Sequence, residues 1–181
     1  QMNGHSFIDA VSTWYSDCET NPEIGLVQYQ NVDMFKKDKI SEILKMGYDY
    51  YVKDYGVYAS NDFENLSFLE QDINIIIAGA KPDEINYITN ILHSCYYDDA
   101  YYIFSHIPQA DQKDLLEMME EKRSNTFFAG YTPDPFIYSS QTDETYKKLL
   151  KVDSLIEKPN SNRKFPFFRK RGEKYAEAKQ V

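Results

Sequence analysis

Histidine, cysteine and glycine are scarce in this chain of 181 residues, which has three, two and seven of them. Each shortage removes a class of function. Cys18 and Cys95 are too few for a disulfide framework, and with no secretory signal ahead of them the expected compartment is a reducing cytoplasm. His5, His93 and His106 offer no positioned nucleophile and base pair, and His93-Ser94-Cys95 matches no standard zinc spacing. Phosphate-cradling loops of the form G-x-x-x-x-G-K or G-x-G-x-x-G are absent, so nucleotide hydrolysis is not expected. The longest apolar run, Ile75 to Ala80, is far short of the roughly 20 residues that span a bilayer. So few glycines and turn dipeptides also leave little punctuation for a sandwich of many short strands.

Acid is what the chain has in quantity. Its net charge is −9, unevenly spread: Lys158 to Val181 holds eight Lys/Arg against two Glu, whereas Gln1 to Glu157 holds 12 against 27 Asp/Glu, a net of −15. The spacing of apolar residues predicts a mainly α fold, a single domain with a minor β element, with α+β as the alternative. The body is placed at 2–157 and a basic, aromatic tail at 158–181. An acidic body repels nucleic acid and attracts basic surfaces, and the tail does the reverse.

Several elements can be predicted in order. Ser6 caps a helix running to about Cys18, with Phe7, Val11, Trp14 and Tyr15 on one face. Glu23 to Val32 reads as a strand, and Asp33 as the N-cap of a helix carrying Met34, Phe35, Ile40, Ile43 and Leu44. Gly47 to about Ser60 fits strand and helix equally. From Asn61 the spacing of Leu66, Leu69, Ile73, Ile76, Ile77 and Ala80 predicts one long helix. Pro82, Asp83 and Glu84 open the next. Asp98 to Ile107 is either a short helix or a strand. Gln109 to Arg123 reads as an amphipathic helix, Ser124 to Ser140 as a small hairpin around two prolines, and Thr142 to Glu157 as a closing helix.

The stretch from Gly47 to Asp72 interleaves five tyrosines with six carboxylates, and YYDDAYY at Tyr96 to Tyr102 echoes it. Tyrosine suits an interface because it buries a large ring and keeps a polar hydroxyl. The candidate partner-binding surface is Asp49, Tyr51, Asp54, Tyr55, Asp62, Glu64, Asp98, Asp99, Glu117, Glu120 and Glu121, the last three on one helix face. Carboxylates three or four apart on a helix stand about 5 to 6 Å from one another, a spacing on which a phosphate row can be imitated. Solvated helix faces and core tyrosines are the plainer reading of the same residues. In the tail, Arg163, Lys164, Arg169, Lys170 and Arg171 alternate with aromatics including Phe167 and Phe168, a mix that suits single-stranded nucleic acid. Asp98 and Asp99 with His106 come nearest to a Mg²⁺ site.

An acidic, Tyr-rich body (GYDYYVKDYG, YYDDAYY, LLEMMEEK) without an active site resembles the small acidic inhibitors of phages and mobile elements, the anti-CRISPR and DNA-mimicking antirestriction proteins. The resemblance is one of size, charge and texture over residues 2–157. It implies a cofactor-free, non-enzymatic inhibitor in the cytoplasm of a bacterial host, bound to a CRISPR-Cas nuclease such as Cas9 with its guide RNA, or to another host nuclease. Such a nuclease offers a positively charged channel and PAM-reading arginines to an acidic surface. The competing expectations are a nucleic-acid-binding accessory protein of a phage or conjugative element and a small metal-dependent enzyme.

Overall fold

The computed structural model describes residues 7–134, 136–137 and 140–150. The chain divides after Val52 into two compact units.

The first unit opens with helix α1, Phe7–Trp14, which buries Val11 and packs on the second strand of an antiparallel meander. Its strands are β1 (Glu19–Asn21), β2 (Leu26–Tyr29) and β3 (Val32–Phe35), in the order β1-β2-β3. Gln30 and Asn31 join β2 to β3 with φ of 49° and 63°. Two successive left-handed residues between strands make the tight hairpin turn whose twist matches the flanking pair. That turn overrides the predicted helix beyond Asp33. Met34 and Phe35 pair instead with Val27 and Leu26. The Asp33 carboxylate, expected at an N-cap, accepts from Gln28 Nε2 and from Tyr48 Oη at 2.5 Å. Only the four residues Ile40–Ile43 of the expected helix form one, α2, after a 3-10 turn at Lys37–Lys39. Residues 47–52 carry no helix or strand.

The second unit, from Lys53 onward, contains α3 (Asn65–Leu69), β4 (Ile75–Ala78), α4 (Pro82–Leu92), β5 (Tyr101–Ser105), α5 (Gln112–Met118), β6 (Thr126–Ala129) and α6 (Ser140–Leu149). The three strands are parallel in the order β4-β5-β6, with Ile75 beside Tyr101 and Tyr102 beside Thr126. Side chains alternate across a strand. Tyr102 and Phe104 therefore enter one core with Phe68, Ile88, Ile91 and Leu115, while Ile103 faces the opposite side, toward Thr145 and Tyr146 of α6.

With two three-stranded sheets, one antiparallel and one parallel, the molecule is an α+β mix, which overturns the mainly helical expectation. The long helix expected over Asn61 to Ala80 shrinks to α3, and β-branched Ile75, Ile76 and Ile77 become a strand that pairs with β5. The apolar spacing favours a helix, but a short run of consecutive apolar, β-branched residues also suits a buried strand, and pairing with β5 along the sheet decides it. The helix expected over Gln109 to Arg123 stops at Met118 and continues as a 3-10 turn, Glu120–Asn125. Thr126 to Ala129 pairs in parallel with β5, so no hairpin forms there. The closing helix is described as far as Leu149. Its continuation to Glu157 and the whole basic tail lie outside the described residues. No helix among the described residues is long and apolar enough to cross a membrane.

Candidate functional site: the acidic amino end of the parallel sheet

Parallel strands start at one end of their sheet, so the residues that lead into them are brought together there. Asp72 leads into β4, Asp98 and Asp99 into β5, and Glu120 and Glu121 into β6; all five are exposed. Asp72, Asp98 and Asp99 stand within three residues of their strands, and Glu120 and Glu121 open the 3-10 turn that leads to β6. The placement is fixed by contact: Lys122 of the turn before β6 reaches Asp98 before β5, donating to its carbonyl at 3.0 Å and its carboxylate at 2.7 Å. Tyr96, 70% exposed, precedes this pair of aspartates by two residues in the chain.

Helix polarity deepens the field. α4 and α5 run back across the sheet to start the next strand, so their C-terminal ends, where partial negative charge collects, point to this same end. Neither helix has a basic residue in its last turn. Glu117 lies in the last turn of α5, and Glu120 follows its cap with φ of 44°. Acid at a helix C-terminus opposes the dipole and costs a few tenths of a kcal/mol per group at an exposed site. Glu117, Glu120 and Glu121 thus gather at one end of the unit, although not on the single helix face expected of them, because the helix ends before Glu120. Glu117 faces Lys113 at 3.8 Å, an exposed pair of little energetic weight. Asp62, Asp99, Glu120 and Glu121 have no ion-pair partner among the described residues.

The remaining candidates fall elsewhere. Asp49 and Tyr51 belong to the first unit, where Asp49 is exposed and the Tyr51 hydroxyl accepts from the Tyr48 N–H at 3.1 Å. Asp54 caps its own turn by accepting from the Gly56 N–H at 2.8 Å. Tyr55 is a strut of the core: its hydroxyl donates to the Ser67 carbonyl at 2.7 Å and its ring meets Phe68 edge-on. Lys53 donates to Ser67 Oγ at 2.8 Å, lies over the Tyr55 ring and pairs with Glu64 at 3.8 Å, so Glu64 helps to fasten this loop. Asp62 stays exposed on the same segment. The tail candidates Arg163, Lys164, Phe167, Phe168, Arg169, Lys170 and Arg171 lie outside the described residues.

The tyrosines divide in the same way. Tyr58 stacks edge-on against Phe63, Tyr87 and Tyr97. Tyr97 donates to Asn65 Oδ1 at 2.7 Å, and Tyr102 donates to the Tyr97 carbonyl at 3.2 Å. Burial pushes both phenols up to about 12, with Tyr58 adding to the effect on Tyr97, and Asp98 and then Tyr97 adding to that on Tyr102. Tyr55, Tyr58, Tyr97 and Tyr102 of the second unit thus belong to its core, while Tyr87, Tyr96, Tyr131 and Tyr146 are exposed, Tyr96 being the one that precedes the two aspartates before β5.

Metal chemistry finds no support in the arrangement. Asp98 and Asp99 precede β5 and His106 follows it, so five strand residues, roughly 16 Å at about 3.3 Å each, separate them. Among the described residues no three His, Cys, Asp or Glu side chains stand close enough to share an ion. At the carboxyl end, where parallel α/β sheets ordinarily bind ligands, the β4 to α4 loop is filled by the protein itself. Glu84 accepts from the Lys81 N–H at 3.1 Å, and a Cβ at Gly79 would stand 2.6 Å from its carboxylate. A concavity between Ile103, Ala129, Thr145 and Tyr146 is small and apolar.

Comparison with known proteins finds no family model, curated protein or solved structure that matches the chain.

Proposed function

We propose that the chain is a non-catalytic inhibitor that docks the acidic amino end of its second unit on the basic, nucleic-acid-handling channel of a nuclease complex of the CRISPR-Cas type, Cas9 with its guide. One observation carries the reading: Asp72, Asp98, Asp99, Glu120 and Glu121 are gathered, exposed, at the end where two helices already direct negative partial charge. Apart from the Asp98–Lys122 pair, these carboxylates have no cation of their own among the described residues, and a basic partner would offset their charge on binding. From Lys53 to Leu150 there are 17 Asp/Glu against seven Lys/Arg, so little of the charge is balanced within the unit. The exposed ring of Tyr96 adds the contact area that charge alone lacks. Guide-loaded Cas9 presents a channel that holds a nucleic-acid duplex by its backbone, and a row of carboxylates competes for the same cations.

Plasmid cleavage by guide-loaded Cas9 is the test, run with increasing amounts of the protein and, in parallel, of a version truncated after Glu157. Cleavage should stop near equimolar inhibitor in both. Undiminished cleavage across a panel of Cas9 orthologues would end the proposal, and direct, salt-sensitive DNA binding that disappears on truncation would move the function to the basic tail.

A further inference from the structure

β4 is an edge strand that lacks the usual protections. It pairs with β5 alone, and among the described residues no backbone group outside β5 bonds to it. From Asn74 to Ala80 it has no charge and no proline, the devices that ordinarily keep an open edge from pairing with another chain. Ile76 and Ala78 turn inward to the core, and Ile77, on the opposite face, is 69% exposed. α6 covers only part of that face, lying over Ile103 and Ala129 of the neighbouring strands.

The strand also supplies its own complement. Exposed Asp72 lies just before it and exposed Lys81 just after it. A twofold axis normal to the sheet sets β4 antiparallel to a second β4, with Ile77 opposite Ile77. That operation sets Asp72 opposite the partner's Pro82, one residue from the partner's Lys81, at both ends of the pairing. We infer that β4 is a self-association edge, through which two copies of the chain join their parallel sheets into one six-stranded sheet. This dimer takes Asp72 from the acidic end and leaves Asp98, Asp99, Glu120 and Glu121 open in both copies. A four-residue strand pair is a small contact, so the dimer should be weak and concentration-dependent.

Sedimentation equilibrium of the full chain over a concentration series tests the inference. Wild type should pass from monomer to dimer. Ile77→Lys should weaken the dimer by about tenfold to a hundredfold, the equivalent of one buried isoleucine. Asp72→Lys and Lys81→Asp should each weaken it, and the doubly swapped chain should regain dimerisation. Both charged sites are exposed, so the swap keeps the test valid if Ile77→Lys misfolds. A chain that stays monomeric at every concentration would overturn the inference. So would a dimer indifferent to Ile77→Lys, or one in which the double swap restores nothing.

Discussion

The two units bury different amounts of chain and for different ends. In the first, Val11 and Val27 are the buried apolar residues among the described ones, and the hairpin rests on the Gln30-Asn31 turn, the Asp33 carboxylate between Gln28 and Tyr48, and the contact of the Tyr15 and Tyr29 rings 4.3 Å apart. In the second, a continuous core joins β5 to both crossover helices and to the tyrosines of the preceding loop. The contrast teaches that the second unit is a stable platform able to tolerate an unfavourable concentration of charge at one end, whereas the first rests on local turn chemistry.

Removing the centre of the larger core should break the comparison most directly. Phe104→Ala, 1% exposed in β5, should cost about 3–5 kcal/mol and leave the first unit's signals in place. Urea unfolding followed at probes in each unit would show it, and equal loss in both would mean that the two do not differ as described. High pH should act on the same core. The unfolded chain releases phenol protons near pH 10, while Tyr97 and Tyr102 hold theirs to about 12 in the fold. The unfolded state therefore binds fewer protons over this window, and stability falls as pH rises from 10 towards 12. Spectrophotometric titration should find two late-titrating tyrosines, and their absence would place these rings in water.

The first unit is sharpened by its turn. Asn31→Val forces a β-branched residue into the left-handed region and should lose about 1 kcal/mol, while Asn31→Gly should lose nothing. Thermal melts of the two variants would separate the turn from the side chain. Lys122→Met removes the strap between the turn before β6 and the Asp98 loop. Because Asp98 is more than half exposed, the loss should be about 1 kcal/mol. The smallest effect has the opposite sign: Glu121→Gln takes charge from the negative end of α5 and should raise stability by about 0.3 kcal/mol. A fall in stability instead would mean that the carboxylate has a structural role.

How much could be read in advance depended on whether the signal was local. Pro82, Asp83 and Glu84 announce a helix start by chemistry confined to one turn, and α4 begins there. The I′ turn at Gln30-Asn31 lacks the usual glycine, so the hairpin was hidden and Met34 and Phe35 read as helix. Ile73 to Ala80 reads as the end of a long helix by spacing; its state is settled instead by β5, a partner some 26 residues away in sequence (Ile75 beside Tyr101). The carboxylates Asp98, Asp99, Glu120 and Glu121 were evident as an acidic surface, but not their common end, which follows from parallel pairing. Asp72 joins them for the same reason, with nothing in its local sequence to single it out. Tyr55 reads as surface in the sequence because composition cannot distinguish a ring held by the Ser67 carbonyl from one facing water.

The most direct measurement of the central claim is the affinity of the full chain for guide-loaded Cas9, compared with that of a variant carrying Asp99→Asn, Glu120→Gln and Glu121→Gln. These side chains have no ion-pair partner among the described residues, so the substitutions should leave the fold intact by circular dichroism. The account predicts tight, salt-sensitive binding by the wild type and a loss of at least about tenfold in the variant, the scale of charge complementarity at an interface. Equal binding by the two chains, or none by the wild type, would contradict it.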